Sequence, residues 1–164
     1  MEREKEIVNQ MNISLNQVLL IRLMNTKDKG NVGELVILSE FVKRGVPVSI
    51  PYGDNTRYDL IAEFNGKLNK IQVKYCSQVT NEGSVVCKSA SVNRDTGKRS
   101  TYESEVDYLA FYIKPWDMAC LVPMSEIKKK TTFTIRNSPT KNGQSVGVHY
   151  VDDYLFDKMV GPVL

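Results

Sequence analysis

The stretch Tyr58-Asp59-Leu60-Ile61-Ala62-Glu63-Phe64-Asn65-Gly66-Lys67-Leu68-Asn69-Lys70-Ile71-Gln72-Val73-Lys74-Tyr75-Cys76 decides the fold. Two strand-like runs flank Asn65-Gly66, and Asn-Gly is the strongest short hairpin signal because both residues tolerate the positive φ of a tight turn. A two-residue turn there sets Phe64 opposite Lys67 and, further from the turn, Asp59 opposite Gln72. Side chains directly opposed in an antiparallel pair share a face, and Lys74, two residues beyond Gln72, shares it too. One face therefore carries Asp59, Ile61, Glu63, Leu68, Lys70, Gln72 and Lys74. The other carries Leu60, Ala62, Phe64, Lys67, Asn69, Ile71 and Val73. Away from the turn the second face is apolar and belongs in a core. The first gathers a carboxylate, an amide and an amine at one end of the hairpin. A slip of one residue would exchange the faces and scatter them.

Working outward, a helix is expected from Thr26 or Asn31 to Arg44, with an apolar stripe of Val32, Leu35, Val36, Leu38, Phe41 and Val42 and Gly45 to end it. A short strand from Val46 to Ile50 and a loop from Tyr52 to Arg57 lead into the hairpin. Beyond it, strands are expected at 84–91, 106–113, 118–122 and 131–136, with a polar loop from Asn93 to Ser100 and helices near Ser125 and from Val151 to Met159. Residues 3–24 read as helix in two pieces, Ser14 capping the second, an arm suited to packing or to oligomer contact. A helix, an antiparallel meander and late helices predict an α/β or α+β domain with a mixed sheet. The chain divides into a helical arm at 1–24 and one domain at 25–164.

Composition narrows the class. The 164 residues are 41% hydrophobic and 25% charged, ordinary for a globular protein. No apolar run approaches the roughly 18 residues that span a bilayer, and the polar start from Met1 to Glu6 has no signal-peptide pattern. A cytoplasmic protein without a membrane partner is expected. Cys76, Cys87 and Cys120 are odd in number and widely spaced, and His149 is the only histidine. Neither a zinc site nor a disulfide framework fits, leaving buried free thiols. The net charge is +3 and the pI about 8.7, which permits a nucleic-acid partner without arguing for one. Lys88, Arg94, Lys98 and Arg99 against Asp95 make one basic segment, and Lys128, Lys129 and Lys130 another.

The three groups on the hairpin suit phosphodiester hydrolysis. Asp59 offers hard oxygens to Mg²⁺, Gln72 a neutral amide oxygen, and the backbone carbonyl of Val73 completes the set. Such a metal polarises a phosphoryl oxygen and lowers the pKa of an attacking water. Lys74 is placed to orient that water or to stabilise charge on the phosphorane. On the residues alone, an edge hairpin with a surface ion pair between Asp59 and Lys74 stands as the other reading.

The local context goes further. Asn25-Thr26-Lys27-Asp28-Lys29-Gly30 leads into a helix with Glu34. Then follow Arg44-Gly45-Val46-Pro47-Val48-Ser49-Ile50-Pro51, Gly53-Asp54-Asn55, Arg57-Tyr58-Asp59-Leu60 and Ile71-Gln72-Val73-Lys74. Tyr102, Val106-Asp107-Tyr108, Leu121-Val122-Pro123, Lys141-Asn142-Gly143-Gln144 and Asp153-Tyr154 continue the series. This ordered set resembles the PD-(D/E)XK endonucleases that include group I intron homing endonucleases. Junction resolvases and restriction enzymes are more distant relatives. The resemblance covers roughly residues 25–155, and spaced motifs in order are far more specific than one short pattern.

It implies a restriction-endonuclease-like core, a central mixed sheet flanked by helices, and a site built from Asp59, Gln72, Lys74 and Glu34. Asp59, Gln72, Glu34 and the Val73 carbonyl would hold Mg²⁺, or Mn²⁺ in its place. Gln72 departs from the family's Asp or Glu at that position, and one negative charge fewer weakens Mg²⁺ binding. Double-stranded DNA is the implied partner. Arg57, Lys88, Arg94, Lys98 and Arg99 are candidates for phosphate, and Asn55, Asn142 and Gln144 for bases or support. One site per chain implies a homodimer or homotetramer for a double-strand cut. Three activities follow from the resemblance: a site-specific endonuclease, a structure-selective nuclease, and a non-catalytic DNA-binding relative whose support is Gln72.

Overall fold

Asn65 and Gly66 both take positive φ, 54° and 69°, as a two-residue hairpin turn that follows the strands' own twist requires. The buried Asn69 amide locks the turn by donating to the carbonyls of Phe64 (3.1 Å) and Lys67 (2.9 Å). The pairing runs from Phe64↔Lys67 to Leu60↔Ile71, and the Asp59 amide donates to the Ile71 carbonyl at 2.8 Å. This is the register expected from the turn. Leu60, Ala62, Phe64, Ile71 and Val73 are buried together, as the apolar face requires.

The structure, a computed structural model, describes residues 24–53, 55–80, 83–93, 95–140 and 142–164. The expected arm, up to residue 23, and Asp54, Arg94 and Lys141 lie outside the described residues. In chain order come α1 (Thr26–Val42), β1 (Val48–Ser49), β2 (Leu60–Phe64), β3 (Lys67–Cys76), β4 (Ser84–Lys88), β5 (Ala90–Val92), β6 (Arg99–Thr101) and β7 (Tyr108–Ile113). Then follow β8 (Met118–Pro123), α2 (Met124–Ile127), β9 (Thr132–Arg136), β10 (His149–Tyr150) and α3 (Phe156–Met159), with 3-10 turns at Lys114–Trp116 and Val151–Asp153.

The central sheet has the order β1-β2-β3-β7-β8. The expected meander is corrected here: β3 and β7 are parallel, from Ile71↔Tyr108 to Cys76↔Ile113. A parallel partner needs a long crossover, which residues 77–107 supply. Within it, the strand expected at 84–91 is broken at Ser89. The Ser89 hydroxyl donates to the Lys130 carbonyl (2.7 Å) and its amide to Thr131 (3.0 Å). This turns the chain from the β10-β9-β4 sheet into a separate β5–β6 ribbon. The polar stretch expected as a loop thus contributes a strand, β6. Asp107 latches the crossover's end to β3, accepting from Lys67 Nζ (2.6 Å) and the Lys70 amide (2.9 Å).

One core lies between the central sheet and the helices, with Ile37, Phe41, Ile71, Ala110, Leu121 and Phe156. The other lies between the two sheets, with Cys87, Leu109, Phe111, Val122, Phe133 and Ile135. All three cysteines are free and buried. Among the described residues no helix is long and apolar enough to cross a membrane.

Asn25 caps α1, its side chain accepting from the Asp28 amide at 2.9 Å. The buried stripe is Gly33, Ile37 and Phe41; of the apolar residues counted from sequence, Phe41 lies in it and Leu38 packs beside it. Leu35 and Val42 are 65% and 60% exposed. Gly33 chooses the face. A Cβ there would already touch Val73 Cγ1 (3.5 Å) and Tyr75 Cβ (3.6 Å), so the helix lies directly on β3.

The C-terminal segment returns to this helix through Arg44, whose side chain is 6% exposed. Arg44 donates to the Gly161 carbonyl (2.7 Å), the Glu40 carbonyl (2.8 Å), the Glu40 carboxylate (2.7 Å) and Asp157. Arg44→Ala removes all four bonds, while Glu40 keeps its Lys43 partner at 3.0 Å and the Asp157 side chain, 65% exposed, turns to water. It is expected to cost about 2 kcal/mol and to lower Tm by roughly 4–8 °C, measured by thermal melting.

Candidate active site

β3 is longer than β2. Beyond the Leu60↔Ile71 pair, the edge of β3 that faced β2 loses its strand partner, and the side chain of Asp59 takes over. Its Oδ2 accepts from the Val73 amide at 2.6 Å and from Gln72 Nε2 at 2.5 Å. The same Nε2 lies 3.3 Å from the Val73 carbonyl. Carboxylate, amide and main-chain carbonyl therefore converge on one notch at the open edge. As the amide stands, its NH₂ group satisfies both oxygens. Turned by half a rotation it presents Oε1, and three oxygens facing one another are a set that a hard divalent cation satisfies.

Glu34 stands on α1 above this edge, close enough for the charges of Asp59 and Lys74 to act on it. Burial pushes its carboxyl above the usual range, the Asp59 charge pushes further, and Lys74 opposes both. Asp59 is also raised, chiefly by burial, against the Val73 amide, Lys74 and Gln72. Two carboxylates whose ionised forms are both disfavoured are relieved by a shared cation. Among the described residues there is no group of three or more His, Cys, Asp or Glu side chains fit to hold a metal. Gln72, which bonds Asp59 Oδ2, is a neutral amide and does not count toward such a group.

Lys74 Nζ donates to Tyr102 Oη at 2.7 Å and lies 4.8 Å from the centre of that ring. Lys74 also shares a cleft of about 390 Å³ with Lys88, Val86, Thr26 and Gln78. The structure thus gathers Glu34, Asp59, Gln72, Val73 and Lys74.

The other expected contacts are dispersed. Asn55, Lys98, Arg99 and Gln144 are exposed. Lys98 and Arg99 lie at the β5–β6 ribbon, while Gln144 lines a separate cleft of about 380 Å³ with Lys130, Thr134, Arg136 and His149. Arg57 has partners within the protein. It donates to Glu105 (2.6 Å), Ser91 Oγ (2.8 Å), Ser100 Oγ (3.3 Å) and the Thr101 carbonyl (3.2 Å). The roles of Tyr102 and Glu105 were not legible in sequence. Lys74 and Tyr102 are 28 positions apart, across a crossover whose course no local pattern reveals.

A family model described as PD-(D/E)XK endonuclease matches residues 24–157. The chain belongs to this family. Among solved structures, that of the bacterial homing endonuclease I-Ssp6803I is similar at 26% identity and a TM-score of 0.61, over 74% of this chain and 83% of that one. No curated protein matches the chain. Membership of the PD-(D/E)XK family makes the protein an endonuclease with DNA as the implied substrate, and nucleases of this family are generally dependent on divalent metal. The restriction-endonuclease-like core expected from sequence is present, a mixed sheet flanked by helices.

Proposed function

We propose that this chain is a Mg²⁺-dependent DNA endonuclease that makes site-specific double-strand breaks. The observation that carries the proposal is the convergence of Asp59 Oδ2 and the Val73 carbonyl on the Gln72 amide, whose Nε2 lies 2.5 Å from the first and 3.3 Å from the second, with Glu34 and Lys74 alongside. Asp59, Gln72 through Oε1, the Val73 carbonyl and Glu34 hold the cation in this reading. Bound there, Mg²⁺, or Mn²⁺ in its place, would withdraw charge from the scissile phosphate and acidify a water. Lys74 supplies a fixed positive charge beside the phosphate, opposing the negative charge that grows as the water oxygen bonds to phosphorus and the backbone P–O bond breaks. The carboxylates orient the attacking water, whose proton leaves to solvent while the departing sugar oxygen takes one from solvent.

For the duplex, Lys88 extends the basic surface from Lys74 along their shared cleft. Lys98 and Arg99 reach phosphate from the ribbon, Arg57 holds that ribbon beside Asp59, and Asn55 and Gln144 offer polar contacts from exposed loops. One site per chain makes a homodimer or homotetramer the working unit. A sedimentation run that finds a monomer with and without DNA removes that assignment.

Gln72 provides a sharp check on the metal. Gln72→Glu sets a second carboxylate against Asp59. It is expected to lower Tm in EDTA and to enlarge the rise in Tm on adding Mg²⁺, because each tenfold gain in affinity adds about 1.4 kcal/mol at saturating metal. Melting curves with and without metal read both effects, and an unchanged metal response contradicts the ligand role. Activity is tested by incubating the protein in Mg²⁺ with long linear duplexes and with a synthetic four-way junction. Discrete fragments from duplex are expected. Cutting confined to the junction replaces site-specific cleavage with structure-selective cleavage.

A further inference from the structure

We propose that Tyr102 is a positioning residue for cleavage: its hydroxyl fixes the ammonium of Lys74, and Arg57 fixes Tyr102. The inference rests on the reading of Lys74 as a participant in the reaction.

A lysine has a flexible four-carbon stem and gives up about 2 kcal/mol of rotamer entropy when held. Efficient catalysis nonetheless requires its charge in one place, since a displacement of about 1 Å costs roughly 10²-fold in rate. Here the place is set by Tyr102. Lys74 Nζ donates to Tyr102 Oη at 2.7 Å, and the tyrosine is 3% exposed, packed in the core between the two sheets. A buried phenol requires a polar partner, and Lys74 provides it. The acceptor is neutral. A carboxylate there would cancel the charge that the reaction needs, whereas a phenol holds the ammonium and leaves two of its three N–H donors for water and phosphate.

The ring is itself held. Arg57 Cζ lies 4.6 Å from its centre, so two cations share one aromatic ring as a common attractive partner. Glu105, which pairs with Arg57 at 2.6 Å, donates its amide to the Tyr102 carbonyl at 3.0 Å. The β5–β6 ribbon grips the same guanidinium through Ser91, Ser100 and Thr101. Arg57 precedes Asp59 by two residues, and Asp59 Oδ2 bonds the Val73 amide at 2.6 Å, one residue before Lys74. The circuit Asp59–Arg57–Tyr102–Lys74–Val73–Asp59 is therefore closed. It ties the ammonium to the carboxylate through side chains as well as through the strand.

Tyr102→Phe tests this, because it keeps the ring and both cation contacts and deletes only the hydroxyl. Single-turnover cleavage of supercoiled plasmid in Mg²⁺ is expected to slow by roughly 10- to 100-fold. DNA affinity in EDTA and Tm are expected to stay close to wild type. The same substitution in a Lys74→Ala background is expected to add no further loss, as for two groups acting as one unit. Wild-type speed in Tyr102→Phe beside an inactive Lys74→Ala overturns the role of Tyr102 and leaves that of Lys74 intact. Wild-type speed in Lys74→Ala overturns both. A slowing matched by lost affinity or lost Tm, or one that persists undiminished without Lys74, overturns the positioning role.

Discussion

Asp59→Asn is expected to reduce cleavage by roughly 10³-fold or more and, in EDTA at neutral pH, to raise Tm. The two effects have one cause. The Asp59 carboxyl is raised above its ordinary value mainly by burial. For such a group the unfolded chain ionises first as pH climbs, so stability is full below the unfolded value and declines as pH passes through the folded one. At neutral pH the carboxylate is therefore a net cost to the fold. Asparagine removes the charge, and its Oδ1 can still accept from the Val73 amide, where Asp59 Oδ2 now accepts at 2.6 Å. Glu34 is raised in part by the Asp59 charge, so it is relieved as well. Mg²⁺ is expected to raise the Tm of the wild type and to leave that of Asp59→Asn nearly unchanged. Melting curves from pH 4 to pH 8 check the sign. A variant less stable than wild type throughout would mean that Asp59 is held for its hydrogen bonds rather than strained by its charge.

Lys74→Ala is expected to match that loss of activity to within an order of magnitude, with roughly 10²- to 10³-fold slower cleavage, but to move stability the other way. Lys74 lowers the carboxyls of both Glu34 and Asp59. Its removal raises them further and deepens the decline of stability with pH. It also strips the Tyr102 hydroxyl of its 2.7 Å donor, and a buried polar group left unpaired costs about 1–3 kcal/mol. Two inactive variants with opposite shifts in Tm are the signature of a site in which a cation must neutralise two crowded carboxylates. DNA affinity in EDTA is expected to fall only by what one phosphate contact supplies. Comparing Tm and affinity for the two variants separates a lost chemical group from a lost fold.

The hairpin was legible because its information is local. Asn65-Gly66 sets the turn, the turn sets the register, and the register puts Asp59 against Gln72 before any other element is known. The family resemblance added Glu34, which the spacing alone did not demand. The rest depended on contacts far apart in sequence. The parallel pairing of β3 with β7 follows from where the crossover returns, and Asp107, the residue that pins it, looks like any polar residue before a strand. The buried face of α1 follows the glycine that permits close approach, not the richest row of apolar side chains, so Ile37 replaced Leu35 and Val42 in the core. Arg57 read as a phosphate ligand because a loop arginine beside a nuclease motif offers no other clue. Within the protein it bonds Ser91, Ser100 and Thr101 of the ribbon, whose second strand begins in a stretch that reads as a polar loop.

The most direct test of the account is the conversion of supercoiled plasmid to nicked and linear forms by the wild type, Asp59→Asn and Lys74→Ala, each in Mg²⁺ and in EDTA. Cleavage by the wild type is expected in Mg²⁺ and not in EDTA, with rates in Mg²⁺ lower by roughly 10³-fold or more for Asp59→Asn and roughly 10²- to 10³-fold for Lys74→Ala. Cleavage that persists in EDTA, or at the wild-type rate in both variants, would contradict this and move the chemistry off the hairpin.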